Sequence, residues 1–287
     1  MKDRASCVIS GTGVKATVRA LAVAAAVGFG SARADIPASA YVQDGLVGLW
    51  DGIENAGAQS HDNQATVWKD LSGNGNDGTV SSNVSWTDNG WTNSSDGQPV
   101  TVGSAIAGTL QKSPYTIEMI VTPTALTHRF TYFGNYSSQG FGLENYYGNG
   151  ANGTIRFYNN NKPDIATGVP VDAGTMNRIS LVATPTLQQY YKNSELAATT
   201  EKTLQTLASA SCNTVIGGEL NRANFAFKGT FHAFRLYNRA LTADEITINA
   251  NIDRVRYEGA DPTTLTWPKG IRGTPSKARH GLLAERS

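Results

Sequence analysis

The chain has 287 residues with a formal net charge of +1, 40% hydrophobic and 16% charged side chains, and 30 glycines. That is a globular composition and excludes a disordered chain. Low charge with many Gly, Asn, Ser and Thr favours strands and turns over long helices, and the length suits one large all-β domain with short appendages.

The first stretch reads as an export leader. Lys2, Arg4, Lys15 and Arg19 form a positive region, Ala20 to Gly30 is a run of small and apolar residues, and Ala32-Arg33-Ala34 is an A-x-A pattern. We expect a signal peptide over residues 1–34 with cleavage after Ala34, hence a secreted, periplasmic or cell-surface protein; a retained N-terminal anchor is the alternative. No later segment is long and apolar enough for a transmembrane span after signal cleavage. Removing residues 1–34 leaves a charge of −3, and residues 35–260 carry −6. With no basic stripe, no nucleic acid partner is expected. Cys7 leaves with the leader and Cys212 is then alone, read either as a thiol nucleophile or as a small buried residue beginning a strand.

Leu46 to Trp50 is the first strand, followed by a polar loop over 51–65. Asp70 to Gly78 is dense in Gly, Asn and Asp, residues that tolerate positive φ and form Asx turns. Val84 to Trp91 and Pro99 to Val102 read as short strands. Tyr115 to Thr122 is β-branched, aromatic and partly alternating, the clearest strand of the chain. Arg129 to Phe133, Gly140 to Asn145 and Thr154 to Tyr158 follow between Gly/Asn-rich links. Arg178 to Thr184 pairs naturally with Gln188 to Lys192, and Asn193-Ser194 sits in the next turn. Thr214 to Gly217 and Thr230 to Tyr237 close the series. On the last strand, alternation places Phe231, Ala233, Arg235 and Tyr237 on one face and His232, Phe234 and Leu236 on the other. One helix is expected: Thr242 at the N-cap and Glu245 three residues on form a capping box, with an end near Gly259. Residues 259–287 read as a basic, poorly ordered tail, with Trp267 as its anchor. Short strands between regular turns predict an all-β, two-layer antiparallel β-sandwich (jelly roll) with one short C-terminal helix.

Three separated stretches are similar to the laminin-G-like jelly-roll domain of the concanavalin A-like lectin/glucanase superfamily, in its secreted bacterial type. Trp68 to Gly78 resembles the opening W-x-D-x-S-G-N-G-N-x-G, Tyr115 to Val121 the central strand, and Phe227 to Thr242 with Glu245-Ile246 the closing strand and helix. The resemblance implies a sandwich over residues 41–258. It departs from the family where His232 stands for a common Asp, where a Trp near Met176-Asn177 is missing, and where Ser194 stands for a Gly.

Catalysis has to be sought in the site and not in the fold. Retaining glycosidases need two carboxyl groups about 5 Å apart, and sandwich glucanases place them on one strand as E-x-D-x-x-E, a spacing absent here. Glu118 stands alone on its strand. Asp51, Glu54, His61 and Asp62 form the one mixed acid and histidine cluster, readable as a metal or acid/base site or as a solvated loop. His61, His128, His232 and His280 are too dispersed for zinc. The run near Asp70 would serve a cation such as calcium or a tight turn. No catalytic residue is assigned from the sequence, and no cofactor is established.

Aromatics give the best binding signal. Tyr132, Phe133, Tyr136, Phe141, Tyr146 and Tyr147 are interleaved with Asn135, Gln139, Glu144 and Asn145. Sugar rings stack on aromatic faces while amides and carboxylates bond hydroxyls. Tyr132, Tyr136, Glu144, Asn145, Tyr146 and Tyr147 are the ligand-binding candidates; the alternative is that alternate aromatics fill the core, one of Tyr132 and Phe133 facing in and the other out. The expectation is an exported binding or adhesion module for carbohydrate or cell-surface ligands, with a glycan-cleaving enzyme or a structural envelope protein as the rivals.

Overall fold

The computed structural model describes residues 36–135, 140–146, 153–159, 165–201 and 212–268. Its strands are β1 (Leu46–Asp51), β2 (Val67–Trp68), β3 (Gly78–Val80), β4 (Val84–Thr87), β5 (Gly90–Asn93) and β6 (Val100–Val102), then a six-residue helix α1 (Ala105–Leu110). After it come β7 (Tyr115–Pro123), β8 (Phe130–Asn135), β9 (Phe141–Tyr146), β10 (Thr154–Asn159), β11 (Ile165–Pro170) and β12 (Asn177–Ala183). The chain closes with β13 (Leu187–Lys192), β14 (Glu195–Glu201), β15 (Thr214–Ile216), β16 (Gly229–Tyr237) and helix α2 (Ala243–Glu258).

These form two antiparallel sheets, as a β-sandwich jelly roll requires. The first runs β14-β13-β12-β7-β16-β5-β4, with β1 also pairing β16; the second runs β11-β10-β9-β8-β15-β6-β3-β2. Between them Trp50, Trp68, Trp91, Phe130, Tyr132, Phe133, Phe227, Phe231 and Phe234 are wholly buried. Trp91 stacks on Phe231 at 5.2 Å between centroids and 6° between planes, and Trp68 meets both edge-on. Each such aromatic pair adds about 0.5–1.5 kcal/mol beyond the area it buries.

Two β-bulges overturn simple alternation. In β16 the register against β7 slips between Phe231 and Ala233. One extra residue, His232, turns Phe231 into the core beside Phe234 and Leu236, while Ala233 faces the other way, toward Ile120 and Tyr257. In β8 the slip lies between Thr131 and Phe133, and here Tyr132 and Phe133 both join the core. Other elements differ from expectation for local reasons. Val84 to Trp91 is a hairpin turned at Asp88-Asn89, α1 is too short to show a helical period, and β14 is a polar edge strand with little apolar alternation.

Helix α2 begins and ends as its sequence dictates. Thr242 and Glu245 form the reciprocal capping box, and Gly259 closes the helix at φ 69°. The helix lies on the outward face of the first sheet and is held there by ionic groups. Arg235 of β16 bonds Glu118 of β7 at 2.8 Å and grips Asp253 of α2 through two bonds. Arg256 reaches Asp51 and Glu54, each at 2.9 Å, and Tyr257 donates to Asp51 at 2.8 Å. The N-terminal segment from Ile36 to Val42 packs on the same helix, as do Leu265 and Trp267, whose indole donates to the Pro262 carbonyl. The central strands of the first sheet, β1, β16, β7 and β12, are therefore covered on their outward side, while the edge strand β14 stays exposed.

Candidate functional site

The outward face of the second sheet is built differently. Opposed residues in neighbouring strands share a face, so Thr131, Glu144 and Arg156 lie in one row across β8, β9 and β10. The next row is Gly134, Gly142 and Tyr158. A side chain on Gly142 would strike the Tyr158 ring, and one on Gly134 would crowd the Tyr158 hydroxyl and the Phe141 carbonyl. Inward neighbours Phe130, Leu143, Ile155 and Phe157 all belong to the core. A loop then brings a second set of groups over the sheet. Gly217 takes φ 78°, the chain turns, and Glu219, Arg222 and Phe225 arrive beside β8, with Leu220 bridging Asn135.

The contacts knit these groups together. Glu144 accepts from Arg129 Nε at 2.6 Å on one oxygen and from Arg156 on the other. Tyr158 donates its hydroxyl to Glu219, whose second oxygen lies 3.8 Å from Arg222. The Arg156 guanidinium lies over the Tyr146 ring at 4.2 Å, and those of Arg129 and Arg222 lie over Phe225 at 4.8 and 5.2 Å. Burial pushes the carboxyl groups of Glu144 and Glu219 above the usual range, against the pull of the arginines and, for Glu219, of the Tyr158 hydroxyl. Burial and the neighbouring Glu219 carboxylate push the Tyr158 phenol well up. Both carboxylate side chains have 0% exposure, whereas Arg129, Arg222 and Arg156 retain 30%, 25% and 13%. An incoming molecule meets guanidinium and aromatic edges, with the acids beneath them.

A family model described as the concanavalin A-like lectin/glucanases superfamily, of laminin G type, matches residues 93–247, more than half of the chain. The chain belongs to this superfamily. Among solved structures, this concanavalin A-like chain is similar to domain 4 of AbnA, an extracellular arabinanase from Geobacillus stearothermophilus solved with arabinotriose. The TM-score is 0.55 at 17% identity, covering 71% of this chain and 98% of that one. It is also similar to a Trypanosoma rangeli sialidase solved with 2,3-difluorosialic acid, with TM-score 0.54 at 19% identity over 74% of this chain. The match takes in only 34% of the sialidase, so this chain corresponds to about a third of its length. Both likenesses are of fold. No curated protein matches the chain.

The sequence-derived binding candidates of this concanavalin A-like chain fall in different places. Glu144 and Tyr146 lie on the outward face of the second sheet, Glu144 under its arginines and Tyr146 partly exposed. Tyr132 is a core residue, packed on Phe130 and Phe227, because the β8 bulge turns it inward. Asn145 points to the opposite face from Glu144 and donates to the His128 carbonyl at 3.0 Å, with no exposure. Tyr136 and Tyr147 lie outside the described residues, as do the leader over 1–34 and most of the tail over 259–287. Arg129, Arg156, Tyr158, Glu219, Arg222 and Phe225 join this face without being singled out by the sequence pattern. Alternation along Thr154 to Asn159 was the available signal for Arg156 and Tyr158. Nothing local marks Glu219, which a distant loop carries in.

The remaining clusters are structural. Asp51 and Glu54 are tied to Arg256, while His61 bonds the Gly52 carbonyl and Asn63. Asp70 accepts from the backbone N–H groups of Leu49, Ser72 and Asn76, at 2.9–3.0 Å, and so staples the Gly/Asn turn to β1. Among the described residues no three His, Cys, Asp or Glu side chains converge on a metal position, and no helix is long and apolar enough to cross a membrane. Cys212 forms no disulfide, and burial pushes its thiol up, which disfavours the thiolate.

Proposed function

We propose that this chain is an exported carbohydrate-binding module and that it holds its glycan on the outward face of the second sheet, over Arg129, Arg156, Tyr146 and Phe225. One observation carries the reading: α2 covers the central strands of the first sheet, whereas the second presents partly exposed guanidinium and aromatic groups on its outward face. Such edges suit sugars, whose C–H faces pack on rings and whose hydroxyls accept from fixed N–H donors. The superfamily and the arabinotriose held by the arabinanase domain support a glycan as the ligand class. Export rests on the leader pattern in residues 1–34.

The test is a panel of purified polysaccharides and oligosaccharides presented to the full chain. Retention on at least one, weakened about tenfold or more by Tyr146→Ala with an unchanged circular dichroism spectrum, is the expected result. Silence across the panel, with and without calcium, would sink the reading.

A glycan-cleaving enzyme has one observation in its favour, namely that Glu144 and Glu219 share this face and burial raises both. Against it, both oxygens of Glu144 are held by arginines, and neither carboxylate is exposed. A general acid must reach the leaving oxygen to within hydrogen-bond distance. We therefore expect binding without release of reducing ends, and turnover abolished by Glu219→Gln would reverse that expectation.

A further inference from the structure

We propose that Arg129 is the anchor of this face and that the ligand it takes is an acidic sugar, a saccharide bearing a uronate-type carboxylate. The inference rests on the reading of the second-sheet face as the glycan site and narrows it to a chemical class.

Arg129 stands immediately before β8, two residues from the outward-facing Thr131, and its side chain lies along the same face. Its Nε is occupied by Glu144 at 2.6 Å. Its Nη groups have no hydrogen-bond acceptor among the described residues, and the side chain is 30% exposed. Its guanidinium carbon lies over the Phe225 ring, 4.8 Å from the ring centre. The group is thus held through Nε by Glu144 and packed against an aromatic ring, which leaves its Nη edge without a partner among the described residues. Ordering a guanidinium before the ligand arrives removes most of the rotamer entropy that binding would otherwise cost.

The outer edge of a guanidinium is a planar pair of donors matched to the two oxygens of a carboxylate. A neutral sugar hydroxyl uses only one of them and adds no charge. Beside Arg129, the Thr131 hydroxyl is buried and has no hydrogen-bond partner among the described residues, which leaves a polar group on the same row unmatched. Glu144 and Glu219 have no exposure and would not face the incoming anion directly. Arg222, 5.2 Å from the centre of the same Phe225 ring, adds a second partly exposed cation.

The experiment is calorimetric titration of the full chain with trimers of galacturonate and of mannuronate, each beside its methyl ester, which keeps the ring and removes the charge. We expect at least one acid to bind roughly ten- to a hundredfold more tightly than its ester, the range of one or two charge-assisted hydrogen bonds. Arg129→Ala and Arg129→Lys should both erase that preference, the lysine variant because it keeps the charge and loses the fork; a native-like near-UV spectrum of Arg129→Lys keeps the comparison valid. Lys69→Ala, on a distant turn, removes one charge as a control and should leave the preference intact. If acids and esters bind alike, the glycan reading survives and the acidic-sugar inference falls. The inference falls also if only neutral glycans bind, or if both Arg129 variants keep the full preference. If no saccharide of any kind binds, both fall together.

Discussion

Arg235 and Asp253 meet through two parallel N–H···O bonds of 2.7 and 2.8 Å, one side chain from the last strand and the other from the helix that covers it. Both are cut off from water, and Tyr41 closes the pair, its ring 4.3 Å from the Arg235 guanidinium and its hydroxyl bonded to Asp253 at 2.8 Å. Replacing Arg235 by Leu leaves Glu118 buried without a cation and Asp253 with only the longer contact to Arg178, at 3.9 Å. We expect a loss of about 3–5 kcal/mol, read as a lower urea midpoint. At temperatures where the variant is folded, glycan affinity should be unchanged, since the pair lies on the first sheet. A variant as stable as the parent would mean that the Arg235 contacts add nothing to the hold on α2.

His232 makes acid the weak side of this protein. Its Nδ1 donates to the Asn89 carbonyl at 2.9 Å, and its Nε2 lies 3.0 Å from the Thr122 hydroxyl, which can donate to the neutral ring. Burial pulls its pKa down from the ordinary 6.5 to about 4. The folded value is the lower one, so this contribution is complete above about pH 6.5 and is lost as pH falls toward 4 and below, up to ~3 kcal/mol in all. Urea midpoints measured from pH 7.5 to 4 should fall more steeply for the parent than for His232→Gln. Parallel profiles would count against this role.

The β13–β14 hairpin turns on Asn193 and Ser194 at φ 53° and 75°. A two-residue turn of this kind needs positive φ at both central positions, which a serine adopts only under strain. Ser194→Gly should stabilise the protein by about 0.5–1 kcal/mol, the relief of strain exceeding the added freedom of the unfolded chain. The check is a thermal melt, in which the midpoint rises by one to a few degrees.

Gly217 carries both kinds of constraint that make a glycine irreplaceable. Its φ is 78°, and a side chain there would collide with the Trp91 indole in the core. Gly217→Ala is expected to cost about 2–4 kcal/mol from backbone strain and overpacking combined. Gly174→Ala has nearly the same φ, 72°, with nothing within 4 Å of the added carbon, and should cost only about 1 kcal/mol. Equal losses in the two would show that the Trp91 contact relaxes freely. Because Gly217 sets the path to Glu219, its variant should also weaken glycan binding.

Local chemistry made much of this fold legible. Thr242, Glu245 and Gly259 mark the ends of α2 through their own hydrogen bonds and dihedral preference, and need no partner from elsewhere in the chain. Tyr115 to Thr122 declares a strand by β-branching, and the Gly/Asn run after Asp70 declares a turn. The bulges were the point of failure. The inserted residue in β16 reverses the side for Phe231, and the one in β8 sends Tyr132 inward, so alternation misplaced a residue in each case.

Residue types and their spacing determined by themselves that the chain forms antiparallel strands, where most of them turn, and how the closing helix is capped, because those preferences act over a few neighbouring residues. Glu118 shows where that reach ends: alone on its strand in sequence, it meets Arg235, Asn249 and Ser180 in the folded chain. The candidate site is of the same kind. Arg129 precedes β8, Glu144 comes from β9, Arg156 and Tyr158 come from β10, and Glu219 returns from some sixty residues later in the chain to bond Tyr158. Only the tertiary structure could decide which arginine covers which carboxylate and which edge still faces outward. Such pairings depend on strand register and loop path, which settle when the whole core packs.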